Sequence, residues 1–244
     1  YKKGSYYVFR ILNIFNIFPK IEILFESNKA NIKAIKSGIS QKFEKFFPFF
    51  KISYFRNIIL INSRSYSLFK KYEKIKKEKT IVFGDTNFRS KDRLMVDWNV
   101  TKFDESQYFK FLNKFLLNLS KLFNYKVIIC SHPGYTNNKY FSSKFKISKK
   151  RTIEEIAKCS IFVFTASSTV LDAVLLKKKI INVNSNYSGH YFKYHGDKFV
   201  KSLGLISVNI DKKFNLKKKS LNYEPNKYKI FIKQRLIPDK DLDP

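Results

Sequence analysis

This sequence is short of glycine, cysteine and acid. Seven glycines in 244 residues are few, and no Gly-rich phosphate loop of the P-loop or dinucleotide kind is present. That removes the commonest nucleotide-binding signatures. The two cysteines, Cys130 and Cys159, have no zinc spacing and cannot build a disulfide framework, so a reducing cytoplasm is expected. There is no Gly-x-Ser-x-Gly, no paired-carboxylate motif and no internal repeat. No apolar run approaches the ~18 residues that read as a membrane span. Residues 6–18 come nearest, and Arg10, Asn13 and Asn16 interrupt them. Nothing reads as a signal peptide. Nineteen acidic residues face 49 basic ones, for a net charge of +30. Such a charge points to polyanionic neighbours. Yet only seven of the 49 are Arg, the residue that bidentate phosphate and base recognition favours. No specific nucleic-acid partner is therefore expected. A Lys-rich surface drawn to an anionic membrane face fits better, at roughly 1 kcal/mol per basic residue near the leaflet.

Apolar residues make up 44% of the chain and aromatics 17%, far from a disordered composition. The length suits one large domain or two small ones. Ile21-Glu22-Ile23-Leu24-Phe25-Glu26 and Asn57-Ile58-Ile59-Leu60-Ile61-Asn62 read as strands. Between them, residues 28–36 suggest a helix stopped by Gly38, and 43–50 a packed aromatic loop broken by Pro48. Residues 63–79 become helical and end in a Lys-rich run, 74–79, which is the linker candidate. Residues 1–78 are thus expected to be part of one α/β domain, and 79–244 a second. The chain opens at Tyr1 without an obvious first strand, which is the expectation for a fragment.

From Thr80 the pattern sharpens. Thr80-Ile81-Val82-Phe83, residues 125–130, Ile161-Phe162-Val163-Phe164 and residues 179–183 are short β-rich apolar runs, suited to strands buried on both faces. Residues 86–103 form a long connection without periodicity. Asp104 and Gln107 suggest a reciprocal cap. Phe109, Leu112, Phe115, Leu116, Leu119, Leu122 and Phe123 then mark an amphipathic helix. Thr152 with Glu155 reads as a capping box, and Thr169 with Asp172 as a further cap. Residues 184–196, with His190 and His195, read as a polar aromatic loop. A strand near 205–208 and a helix near 226–234 complete the chain. The expected fold class is α/β, a Rossmann-like parallel sheet with right-handed crossovers.

Each of three strands ends in a polar cluster, and ligands of open α/β sheets sit beyond the strands' carboxyl ends. His132 follows the second strand. A His there can donate to a phosphate or exchange a proton near neutral pH, and Pro133 holds it extended. Ser167, Ser168 and Thr169 follow the third, where hydroxyls suit a phosphate or a plain helix cap. Asp85 ends the first and could be a general base or a turn cap. Glu154 and Glu155 could reach a ribose, although a capping role explains Glu155 as well. His190 and His195 lack a third ligand for a metal.

The paired motifs Ser131-His132-Pro133 and Thr165-Ala166-Ser167-Ser168-Thr169, with Thr152-Ile153-Glu154-Glu155 and Ala173–Ile181, resemble the carboxyl-terminal domain of bacterial surface-polysaccharide glycosyltransferases of GT-B type. They are similar to the HP and SS/ST motifs of sialyltransferases and Kdo transferases. The resemblance covers residues 80–185, under half of the chain. It implies two facing Rossmann-like domains and no bound metal or cofactor, the nucleotide-sugar being a co-substrate. It implies His132, Ser167, Ser168 and Thr169 on the donor phosphates, Pro133 as a further residue of the nucleotide-sugar site, and the base near Thr152 and Glu155. A CMP-sugar is the first choice of donor and a UDP-sugar the second. Asp85 in Phe83-Gly84-Asp85 would match the family's acidic motif and, with His132, be catalytic; the second acidic residue and Gly of sialyltransferases are missing. The acceptor would be a polysaccharide or lipid-linked glycan, for capsule or lipopolysaccharide, in the cytoplasm at the inner membrane. A sugar-nucleotide epimerase-like enzyme and a non-catalytic polyanion binder remain the alternatives.

Overall fold

The computed structural model describes residues 21–26, 55–60, 64–88, 104–132, 138–214, 216–217, 221 and 224–236. The expected helix at 28–36 and the aromatic loop at 43–50 lie outside these residues. So do most of the 86–103 connection and Pro133. Contacts divide the chain into two units, Tyr1–Arg64 with Ile232–Pro244, and Ser65–Phe231. In the first, β1 (Ile21–Glu26) and β2 (Phe55–Leu60) pair in parallel.

The second unit begins inside α1 (Arg64–Tyr72). The Lys-rich run 74–79 lies inside this unit and leads into β3 (Thr80–Gly84). Next come α2 (Glu105–Phe123), β4 (Lys126–Cys130), a 3-10 turn (Asn138–Tyr140) and β5 (Lys146–Ile147). Then follow α3 (Thr152–Lys158), β6 (Ile161–Phe164), α4 (Val170–Leu175), β7 (Lys179–Asn184), α5 (His190–Leu203), β8 (Ile206–Asn209) and α6 (Pro225–Arg235). The six strands β3–β8 make one sheet in the order β5-β4-β3-β6-β7-β8, and every neighbouring pair is parallel. This is the third-second-first-fourth-fifth-sixth order of doubly wound Rossmann-like sheets. The expected α/β class is what the chain adopts.

The apolar runs become central strands because both of their faces are covered. Ile81, Phe83, Val127, Ile129, Ile161 and Val163 pack in one cluster with Leu112, Phe115, Leu116 and Leu119 of α2. Alternation sends Val82 and Phe162 to the other face, where α3 and α4 lie against β3, β4, β6 and β7. Asp104 caps α2 by accepting from the Gln107 N–H at 3.0 Å. Its own N–H donates instead to the Tyr187 carbonyl, 3.2 Å away, so only half of the expected reciprocal cap forms. Asn124 closes the helix in the left-handed conformation at φ 55°, which Asn tolerates well.

Three expectations fail. The Thr152–Glu155 capping box does not form. Arg151 is the N-cap and, with a side chain that only donates, makes no cap bond; the Glu155 carboxylate accepts instead from the Ser148 hydroxyl at 2.6 Å. Thr169 likewise makes no cap bond; its hydroxyl pairs with that of Ser167 at 2.8 Å. Residues 190–196 are not loop but the first half of α5. Gly196, which looked like a loop residue, lies against the sheet: a Cβ there would stand 2.7 Å from the Thr165 carbonyl oxygen and 2.8 Å from Asn182 Nδ2.

Candidate functional site

Three loops that carry candidate residues reach the carboxyl edge of the sheet. The order reverses between β3 and β6, which is the topological switch point where such sheets bind ligands. Behind β3 stand Asp85 and Thr86. Behind β4 stand Ser131 and His132, and behind β6 the run from Thr165 to Thr169. Gly84 lets the first and third meet, since a Cβ on it would lie 2.9 Å from Phe162 and 3.1 Å from Thr169 Oγ1.

His132 and residues 167–169 are thus on one edge, but not at the ends of adjacent strands. β3 lies between β4 and β6, so the two ends are about 10 Å apart. A nucleotide is long enough to bridge them, and Asp85 and Thr86 would lie under its middle. Asp85 is only 3% exposed, and its Oδ1 accepts from the Thr86 N–H at 2.8 Å. It holds the turn, as a cap would. Thr86 was not singled out in the sequence. Its hydroxyl is buried and has no hydrogen-bond partner among the described residues. Such an orphan is costly to leave dry, and this one sits at the switch point.

The hydroxyl run is largely committed to its own turn. Ser167 Oγ receives the Thr169 N–H at 3.3 Å, and the Val170 and Leu171 N–H groups donate to the Ser167 and Ser168 carbonyls. Those N–H groups are no longer available as a cradle. Ser168 is the exposed member of the run. Thr165 at the base of the loop shares a 2.7 Å hydrogen bond with the Tyr108 hydroxyl, both groups being buried. Burial pushes the Tyr108 pKa far above the phenol range, so this group stays protonated. Asn182 holds the same loop from below. Its Nδ2 donates to the Thr165 carbonyl at 2.8 Å, and its Oδ1 accepts from the Ser207 hydroxyl at 2.8 Å.

His132 is half-buried, and that desolvation lowers its pKa. The neutral imidazole is therefore the favoured form at pH 7. Thr152 bonds the Cys130 side chain and Glu155 is buried against Ser148. Both sit at the start of α3, on the β4 side of the edge. Cys130 and Cys159 are buried and free, and burial pushes each thiol up to about 12. His190 and His195 lie along α5, where His195 packs on Tyr191 and His190 on Tyr194. Among the described residues no group of His, Cys, Asp and Glu could hold a metal, and no helix is long and apolar enough to cross a membrane.

No family model matches the chain, and no curated protein matches it. Among solved structures it is similar to the KpsC beta Kdo 2,7 transferase of Thermosulfurimonas dismutans, at 13% identity and a TM-score of 0.37. It is also similar to the E. coli ADP-heptose lipopolysaccharide heptosyltransferase II, at 12% identity and a TM-score of 0.27. The matches cover 63% and 52% of this chain, and the chain spans 48% and 39% of the two neighbours.

Proposed function

We propose that the chain belongs to a glycosyltransferase that moves a sugar from a nucleotide-activated donor to a surface-polysaccharide or lipid-linked acceptor. In this reading residues 79–244 hold the donor and 1–78 are part of the acceptor side. The observation that carries it is the switch point itself: His132, Ser168 and the orphaned hydroxyl of Thr86 gather on one carboxyl edge of a doubly wound sheet. The HP and SS/ST motif pair supports the same reading.

The chemistry breaks the bond between the anomeric carbon and the donor phosphate and forms one to the acceptor oxygen. The departing phosphate gathers negative charge. His132 and the hydroxyls of Ser168 and Thr86 are fixed donors for that charge, which is the usual electrostatic contribution. The acceptor proton passes to a carboxylate, for which Asp85 is proposed. Thr152 and Glu155 shape the base-binding end, with CMP the first choice and UDP the second. The excess lysine keeps the enzyme at an anionic membrane face.

Calorimetric titration with CMP, UDP, GDP and ADP tests this. His132→Ala and Ser168→Ala should each weaken CMP or UDP binding about tenfold or more, with the melting temperature unchanged. Unchanged affinity in both variants removes the donor-site assignment. A bound phosphate favours the charged imidazole, so affinity should rise as pH falls through the His132 titration, by at most about tenfold per pH unit. Folding shows the opposite trend. The folded pKa is depressed, so the unfolded chain takes the proton first and stability falls below about pH 6.5.

Asp85→Asn separates chemistry from turn geometry. If Asp85 takes the proton, kcat should fall about 10²–10⁴-fold at nearly constant KM. A rise in KM with kcat retained would assign Asp85 to holding the β3 turn alone.

A further inference from the structure

One cavity of the second unit lies away from the carboxyl edge. It opens at the amino edge of the sheet, where β3, β4, β6 and β7 begin. Its volume is about 370 Å³, and its lining includes Lys77, Lys177, Lys179, Phe123, Tyr125 and Ile161. That is within the usual size of a small-molecule site.

Three features set it apart from an accidental dent. The first is charge. Lys77, Lys177 and Lys179 make no ion pair among the described residues. The nearby Glu78 carboxylate is directed to Lys158 at 3.8 Å. Three ammonium groups around one hollow repel each other, and a multivalent anion reverses the sign of that interaction. The second is the wall. Phe123 and Tyr125 pack on each other with ring centroids 5.7 Å apart, and with Ile161 they offer an apolar side to the same hollow. The third is backbone conformation. Lys177 lies in the left-handed region at φ 51°, directly after α4, where glycine fits without strain. The chain places a lysine there and so brings its ammonium group to the rim. Strained residues of this kind cluster at ligand sites.

We infer that this amino-edge cavity is a second anion site, which takes a phosphate ester or diphosphate joined to an apolar or aromatic group. Lys77, Lys177 and Lys179 hold the phosphate, and Phe123, Tyr125 and Ile161 receive the body. It is independent of the donor site, which lies at the other end of the strands. The same chemistry is found in a soluble phosphate ester and in a lipid phosphate headgroup.

The test uses the full chain with two probes, inorganic pyrophosphate and vesicles of phosphatidylcholine with or without phosphatidic acid. The variants are Lys77→Gln, Lys177→Gly and Lys179→Gln. Lys177→Gly relieves backbone strain, so its melting temperature should not fall and a binding loss cannot be blamed on misfolding. Each variant should lose about tenfold in affinity for the probe, and CMP or UDP titration should be unaffected by all three. Loss against pyrophosphate assigns the site to a soluble ester. Loss against the phosphatidic acid vesicles alone assigns it to a headgroup. A control removes Lys193, Lys198 and Lys201 on α5. If the cavity variants bind both probes as the wild type does, or the control loses as much, the binding is general surface charge and the inference is overturned.

Discussion

Tyr108→Ala should lower the unfolding free energy by about 3–5 kcal/mol, as removal of a large buried aromatic does. Tyr108 is fully buried and stands edge-on to Phe88 and Phe109, with centroids at 4.7 and 5.1 Å. Phe88 in turn meets Phe192 of α5 at 4.7 Å. One ring therefore joins α2, the loop after β3 and α5 beneath the carboxyl edge. Tyr108→Phe keeps that packing and removes only the hydroxyl. It strands the Thr165 hydroxyl in a dry interior and should cost about 1–3 kcal/mol. Urea titration measures both, and a shifted midpoint at constant slope marks a true stability change. Because Thr165 is the root of the loop that carries Ser168, Tyr108→Phe should also weaken nucleotide binding at temperatures where the protein remains folded. A variant as stable as the parent would show that the 2.7 Å bond to Thr165 contributes nothing.

Gly196→Ala carries an unusual sign. In an ordinary helix interior the change stabilises by about 0.5–1 kcal/mol. Here the added methyl meets the Thr165 carbonyl at 2.7 Å and Asn182 Nδ2 at 2.8 Å, two groups already bonded to each other. Neither is a flexible side-chain tip that can swing away, so α5 must lift from the sheet. Overpacking of this kind costs about 1–3 kcal/mol. The same lift would disturb Phe192 and the Asn182–Ser207 bond. A thermal melt of Gly196→Ala that matches or exceeds the wild type would show that α5 does not lie this close.

The sequence revealed most of the strands and missed what depends on distant partners. The runs beginning at Thr80 and Ile161 were legible because a strand covered on both faces must be apolar throughout, and a polar cluster must end it. Helix α2 was legible because its buried residues recur at helical spacing. β5 was not, since two residues, Lys146 and Ile147, carry no periodicity and become a strand only by pairing with β4. α5 was read as loop over its first half because Gly189, Gly196 and interleaved polar residues mask a helical face. Glycine stands at 196 within the helix because Thr165 and Asn182 leave no room for a side chain. The caps at Thr152–Glu155 and Thr169 failed because their side chains bond elsewhere: Glu155 to Ser148, Thr152 to Cys130 and Thr169 to Ser167.

Local pattern alone determined most of the alternation of strand and helix, many apolar core positions and the polar residues that end β3, β4 and β6. These follow from side-chain period and turn chemistry, which a neighbouring stretch of chain can specify. Tertiary structure decided the strand order, and with it the neighbours of every loop. By setting β3 between β4 and β6, it placed Asp85 and Thr86 between His132 and Ser168. It also drew Lys77, Tyr125, Ile161 and Lys179 from four separate segments around one hollow at the amino edge. Such meetings depend on which strands pair across long loops, and no local spacing encodes that choice.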